Sequence, residues 1–171
     1  MTDLQTHFIG RRSLLMGGAA ALLLAGCGFE LRRAPELKFR TIQLTGFKPR
    51  SPLLVELTAS INASTTTLVV EAAAQAQVVL EAIADVREKS VVASTAVGQV
   101  REFQLRSRFN FRLRTVAGKD LILPTEILLN RDLSYIETLA LAKEQEEATL
   151  YRAMQSDIVA QVLRRLASVQ V

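Results

Sequence analysis

The chain has 171 residues, with 21 basic and 17 acidic side chains, one histidine, one cysteine and no tryptophan. A net charge of +4 is too small to specify nucleic acid as a partner. With a single histidine and a single cysteine, the usual general base and the commonest metal ligands are nearly absent.

Arg11 and Arg12 precede an apolar run over residues 14–25, which ends in Leu24-Ala25-Gly26-Cys27. Basic, apolar and small residues followed by a thiol form a secretory signal whose cleavage leaves cysteine first, and the order resembles a bacterial lipoprotein signal. As a helix the run reaches only about 18 Å, short of a hydrocarbon core of about 30 Å. Residues 1–26 are therefore expected to leave, and Cys27 to carry covalent acyl and diacylglycerol groups. Residues 27–37 form a lipidated tether, and residues 38–171 a single domain long enough to bury a core. Acylation consumes the only thiol and His7 leaves with the signal, so no catalytic residue, metal site or other cofactor is expected. Gly28 after the cysteine, rather than aspartate, fits outer-membrane sorting by the rule for enteric lipoproteins. A periplasm-facing address further disfavours nucleic acid. Arg11-Arg12-Ser13-Leu14-Leu15 fits a twin-arginine signal as well as an ordinary basic leader, leaving the export route open.

In the remaining chain, residues 39–47 carry Phe39, Ile42 and Leu44 and stop at Gly46, a first strand. Ser51-Pro52 is a helix start, a hydroxyl cap followed by proline where no amide donor is needed. Leu53, Leu57 and Ile61 follow at helical spacing, and the helix should end near residues 62–64. Residues 66–71 are β-branched, a short strand. Residues 72–76 are ambiguous. Residues 77–87 alternate as a strand, Lys89-Ser90 suggests a turn, and residues 91–97 form another run before Gly98.

The strongest strand spans residues 100–115. Phe103, Leu105, Phe109, Phe111 and Leu113 share one parity, and Arg106, Arg108, Arg112 and Arg114 share the other. Alternation this long places one face on a core and the other in a polar environment. Gly118-Lys119-Asp120 reverses the chain, and residues 121–129 return, with Pro124 marking an edge or a bulge. Ser134 and Glu137 fit a capping box for a final helix about 45 Å long. Its stripe runs through Leu150, Met154, Ile158, Val162 and Leu166. The sum is an α+β two-layer sandwich, a roughly four-stranded, mostly antiparallel sheet with two helices on one face.

Three stretches are similar to the LptE family of LPS-assembly lipoproteins. Cys27-Gly28-Phe29-Glu30-Leu31-Arg32 resembles its lipidated start. Gly98-Gln99-Val100-Arg101-Glu102-Phe103 resembles its glycine-led entry into a long strand. Leu139-Ala140-Leu141-Ala142-Lys143-Glu144 with Leu163-Arg164-Arg165-Leu166 resembles its last helix. The resemblance implies a non-enzymatic plug inside an LptD-type outer-membrane β-barrel, needed for barrel assembly and for delivery of lipopolysaccharide to the outer leaflet. Further contacts would be lipopolysaccharide itself and, through the anchor, outer-membrane lipid. It also implies a lipopolysaccharide contact at Lys143. The family's second cation belongs in the loop of residues 95–98, which here holds none, so Arg101 or Lys89 would have to substitute.

Arg106, Arg108, Arg112 and Arg114 could bind phosphate bidentately. A solvated sheet face, or a face against the polar inner wall of a barrel, requires the same pattern. Two other functions stay open: a free-standing lipoprotein that binds amphiphiles, and a hydrolase without histidine using Ser107, Lys119 or Glu126. No nucleophile elbow or phosphate loop supports the latter.

Overall fold

The structure, a computed structural model, describes residues 35–64 and 66–170. Cys27 and the signal lie outside the described residues. The elements are β1 (Thr41–Thr45), α1 (Pro52–Asn62), β2 (Leu68–Val70), β3 (Val78–Ser94), β4 (Val100–Thr115), β5 (Asp120–Ser134) and α2 (Ala140–Ala167). They form an α+β fold with one sheet in the order β2-β1-β3-β4-β5. β1 runs parallel to β2 and β3, whereas β3, β4 and β5 form an antiparallel meander.

The sheet has five strands where about four were expected, the extra one being the three-residue edge strand β2. The turn expected at Lys89-Ser90 is absent. Residues 77–87 and 91–97 belong to one strand, because its backbone pairs with β4 from Val78↔Thr115 to Ser94↔Val100. Register shifts near Ala82/Ala84 and Val91/Ala93 absorb the irregular parity that suggested a break. The return strand also runs past residue 129 to Ser134, and Pro124 sits on the open edge beside register shifts in the β4–β5 ladder.

Ser51 caps α1, its hydroxyl oxygen accepting from the Leu54 amide at 3.3 Å, with Pro52 as the first helical residue. The same hydroxyl donates to Asp85 Oδ2 at 2.9 Å, which ties the helix start to β3. α2 begins differently from the capping-box expectation. A 3-10 turn at Glu137–Leu139 precedes it, and no side chain caps it. Ser134 is the last residue of β5 and its hydroxyl accepts from Lys143 instead.

The core lies between one sheet face and the two helices. Leu105, Phe109, Phe111 and Leu113 are fully buried, as the parity of β4 requires. Phe109, Phe111 and Leu113 pack with Leu57, Ile61, Ile158, Val162 and Leu166, and Leu105 in a smaller cluster with Leu133 and Met154. Phe109 stacks on Phe111 at 5.4 Å and on Phe47 at 5.9 Å. β1 and β2 cover only the half of the sheet that holds Val78 and Thr115, so the other half is three-stranded. α2 spans both halves, about 42 Å for its 28 residues.

Candidate functional site

The face of β3–β5 turned away from the helices carries the arginines expected there. Each has a polar or acidic neighbour. Arg112 donates to Glu81 Oε2 through Nε (3.1 Å) and Nη2 (2.8 Å), and Arg114 Nε approaches the same carboxylate at 3.6 Å. The Arg112 guanidinium holds the Glu81 carboxyl below its ordinary pKa, with help from the Arg114 charge, and burial opposes them only in part. Arg108 lies 3.5 Å from Glu88. Arg106 donates to Gln104 Oε1 at 2.8 Å, and Gln104 in turn donates to Asp132 Oδ1 at 3.4 Å. Val86 and Leu128 flank Arg108 on the neighbouring strands, and Glu126 stands opposite Asn110. The face is thus a polar surface of partly paired arginines with aliphatic patches: Arg112 and Arg114 share Glu81, Arg108 lies near Glu88, Arg106 has an amide partner, and Arg114 Nε is buried without a hydrogen bond.

A second group of cations gathers at the three-stranded end. A cleft of about 100 Å³ is lined by Lys89, Phe103, Leu133, Tyr135, Lys143 and Glu147 among others. Lys89 Nζ sits 4.1 Å from the centre of the Phe103 ring and 2.6 Å from Glu147 Oε2. Phe103 meets Tyr135 edge-on at 5.2 Å. Lys143 donates to Ser134 Oγ at 3.0 Å and to Glu146 Oε2 at 2.8 Å. Its side chain is only 14% exposed, so it is a held group rather than a mobile surface cation. Behind the cleft, Tyr151 donates to the Glu88 carbonyl at 2.7 Å; burial raises its phenol pKa and the Glu147 charge adds to that.

Arg101 lines a neighbouring cleft with Gly98, Gln99, Val100, Tyr135 and Glu137. Tyr135 is therefore shared, and Lys89, Lys143 and Arg101 border the two clefts it separates. Arg106, Arg108, Arg112 and Arg114 lie on the opposite face, so the cationic candidates fall into two groups. Exposed Val91, Val97, Ile136, Leu139 and Leu141 surround this end. Tyr135 was missed in the sequence because it falls beyond the expected end of β5. Phe103 and Leu133 pair across the ladder, and continuing that parity by one step reaches it.

Ser107, Lys119 and Glu126 do not converge. Ser107 is buried on the inner face, Glu126 is on the outer face and Lys119 is in the β4–β5 turn.

The family model described as LptE, lipopolysaccharide-assembly, matches residues 39–166. A protein of Photorhabdus laumondii named LPS-assembly lipoprotein LptE is 26% identical over 157 residues, covering 91% of this chain and 85% of its own. One of the same name from Yersinia enterocolitica is 27% identical over 155 residues, covering 90% and 74%. The fold is similar to the solution NMR structure of lipoprotein B from Nitrosomonas europaea, with TM-score 0.71 and 33% identity over 82% of this chain and 91% of that one. The crystal structure of rare lipoprotein B from Shewanella oneidensis has TM-score 0.64 and 23% identity over 75% and 95%, and shows the fold alone.

Proposed function

The chain belongs to the LptE lipopolysaccharide-assembly family, and we propose that it acts as a non-enzymatic, lipid-anchored component of the outer membrane. In this reading it seats within the lumen of an LptD-type β-barrel, assists assembly of that barrel and helps pass lipopolysaccharide to the outer leaflet. Acyl and diacylglycerol groups on Cys27 hold it to the membrane from the periplasmic side.

The observation that carries the reading is the outer face of β3–β5. Arg112, Arg114, Arg108 and Arg106 are matched there by Glu81, Glu88 and the Gln104–Asp132 pair. A barrel lumen is polar and hydrated, and a surface of partly paired arginines with small aliphatic patches suits it, because water and polar wall groups can complete their hydrogen bonds. On the helix side Leu57, Ile61, Ile158, Val162 and Leu166 pack into one core with Phe109, Phe111 and Leu113, so this apolar face is taken up by the protein's own side chains. That favours the barrel over a free-standing amphiphile carrier.

Lipopolysaccharide would meet the protein at the three-stranded end. Lys89 and Lys143 supply cations for phosphate or carboxylate, Arg101 adds a bidentate donor, and Phe103, Tyr135 and the exposed aliphatic residues offer apolar contact. Lys89 takes the place of the cation absent from residues 95–98. Purification from outer membranes through a C-terminal tag tests the reading. A large β-barrel in stoichiometric amount supports it, and recovery of the chain without a barrel refutes it.

A further inference from the structure

The end of the domain opposite Lys89 and Lys143 concentrates the positive charge of the chain. Lys38 and Arg40 lead into β1. The Arg40 carbonyl accepts from the Leu68 amide at 2.9 Å, and the Arg40 amide donates to Gln77 Oε1 at 2.7 Å, which places it between the starts of β2 and β3. Val78 stands opposite Thr115, so the β4–β5 turn with Lys119 closes the same end. α2 starts beside Lys89 and finishes here, with Arg164 and Arg165 in its last turn.

From residue 27 onward the sequence holds 19 basic and 16 acidic residues. The described part of this end holds Lys38, Arg40, Lys119, Arg164 and Arg165 against Glu36 and Asp120, and the sequence of residues 27–34 adds Arg32 and Arg33 against Glu30. The rest of the sequence from residue 27 onward holds 12 basic and 13 acidic residues and is almost neutral. Lys38, Arg40, Lys119 and Arg164 are all exposed. On the same rim Leu68 is 61% and Val116 46% exposed, and Leu68 borders a shallow groove with Lys38 and Arg40.

We propose that this end docks directly on an anionic phospholipid surface, as a second contact beside the acyl anchor. It rests on the reading of Cys27 as lipidated, which sets the address. The 8 residue steps from Cys27 to Pro35 span at most about 28 Å when fully extended. The basic end is thereby kept near the headgroups, whereas the Lys89–Lys143 end stands about 42 Å further along α2. Anchoring by lipid is strengthened by a nearby basic patch, whose attraction to an anionic surface decays over about 8 Å at physiological salt.

The test uses the exported chain from residue 27 with Cys27→Ser, so that no acyl group contributes. It is floated with vesicles of phosphatidylcholine alone or mixed with phosphatidylglycerol, at low and high salt. The chain should float with the mixed vesicles only, and high salt should release it. The double variant Lys38→Gln, Arg40→Gln should partition about thirtyfold more weakly, at about fivefold per basic residue. Its circular dichroism should match the parent, since the Arg40 bonds are made by backbone. Lys89→Gln with Lys143→Gln, at the other end, should float like the parent. Equal flotation with neutral vesicles, or an equal loss in the two double variants, overturns the proposal. Fatty-acid labelling of Cys27 in cells is read separately. A chain that labels but ignores phosphatidylglycerol overturns the surface contact. A chain that binds phosphatidylglycerol without labelling supports the contact and removes only the anchor.

Discussion

Lys143 Nζ donates to Ser134 Oγ at 3.0 Å, tying the first turn of α2 to the last residue of β5. The lysine thereby stays on the wall of the Lys89–Phe103–Tyr135 cleft instead of extending into solvent. Reversal by Lys143→Glu removes this tie and puts like charges beside Glu146. The fold should survive, at a cost of about 1–2 kcal/mol for the lost Ser134 and Glu146 contacts and the new repulsion. Lipopolysaccharide capture by the purified variant should weaken and depend less on salt. Unchanged capture and an unchanged salt slope would make Lys143 a structural tie only.

Gly46 and Ala82 make the tightest backbone approach among the described glycines. Gly46 has φ +79°, and a Cβ there would overlap the Ala82 carbonyl, whereas Gly98 (φ +83°) and Gly118 (φ +92°) face open space. Gly98→Ala and Gly118→Ala should each cost about 1–2 kcal/mol, the left-handed backbone penalty alone. Gly46→Ala adds a clash with backbone and should cost clearly more. Denaturant melts of the three variants rank them; equal losses would contradict the close approach.

Phe109 and Arg108 are adjacent in β4 and point to opposite faces. Phe109→Ala should destabilise by about 3–5 kcal/mol, because the ring is fully buried between Phe47 and Phe111. Arg108→Ala should change stability by about 0.5 kcal/mol or less, since its contact with Glu88 is half exposed. Chemical denaturation of the isolated chain checks both.

Glu81 gives the outer face a small acid sensitivity. Its folded pKa is lowered, so the stability it contributes is present above its unfolded pKa and is lost as pH falls through the folded value. Solvent screening keeps the effect small. Glu81→Gln should lower stability near neutral pH and flatten this part of the acid dependence. Identical pH profiles for variant and parent would show that the Arg112 pairing adds nothing.

Much of this fold is legible in the sequence because single residues fix it locally. Ser51-Pro52 sets the start of α1, and the parity of β4 assigns Phe109 to the core and Arg108 to the outer face. The ends of elements are less legible because tertiary contacts decide them. Lys89-Ser90 has the composition of a turn, yet pairing with Leu105 and Gln104 keeps it in β3. Ser134 has the spacing of a helix cap, yet Lys143 takes its hydroxyl as an acceptor. The cleft suffers most from these errors, since a turn at Lys89 and an early end to β5 separate Lys89, Tyr135 and Lys143. Only the full β3–β4–β5 register brings them together.

Enclosure within a barrel lumen is the central claim, and site-specific photocrosslinking in outer membranes tests it most directly. One crosslinker replaces Leu128 on the outer sheet face, and another replaces Val55, which is 64% exposed on α1 on the opposite side. A chain surrounded by a barrel wall should crosslink to the same large β-barrel protein from both positions. Capture from neither position, or from Leu128 alone, would contradict enclosure.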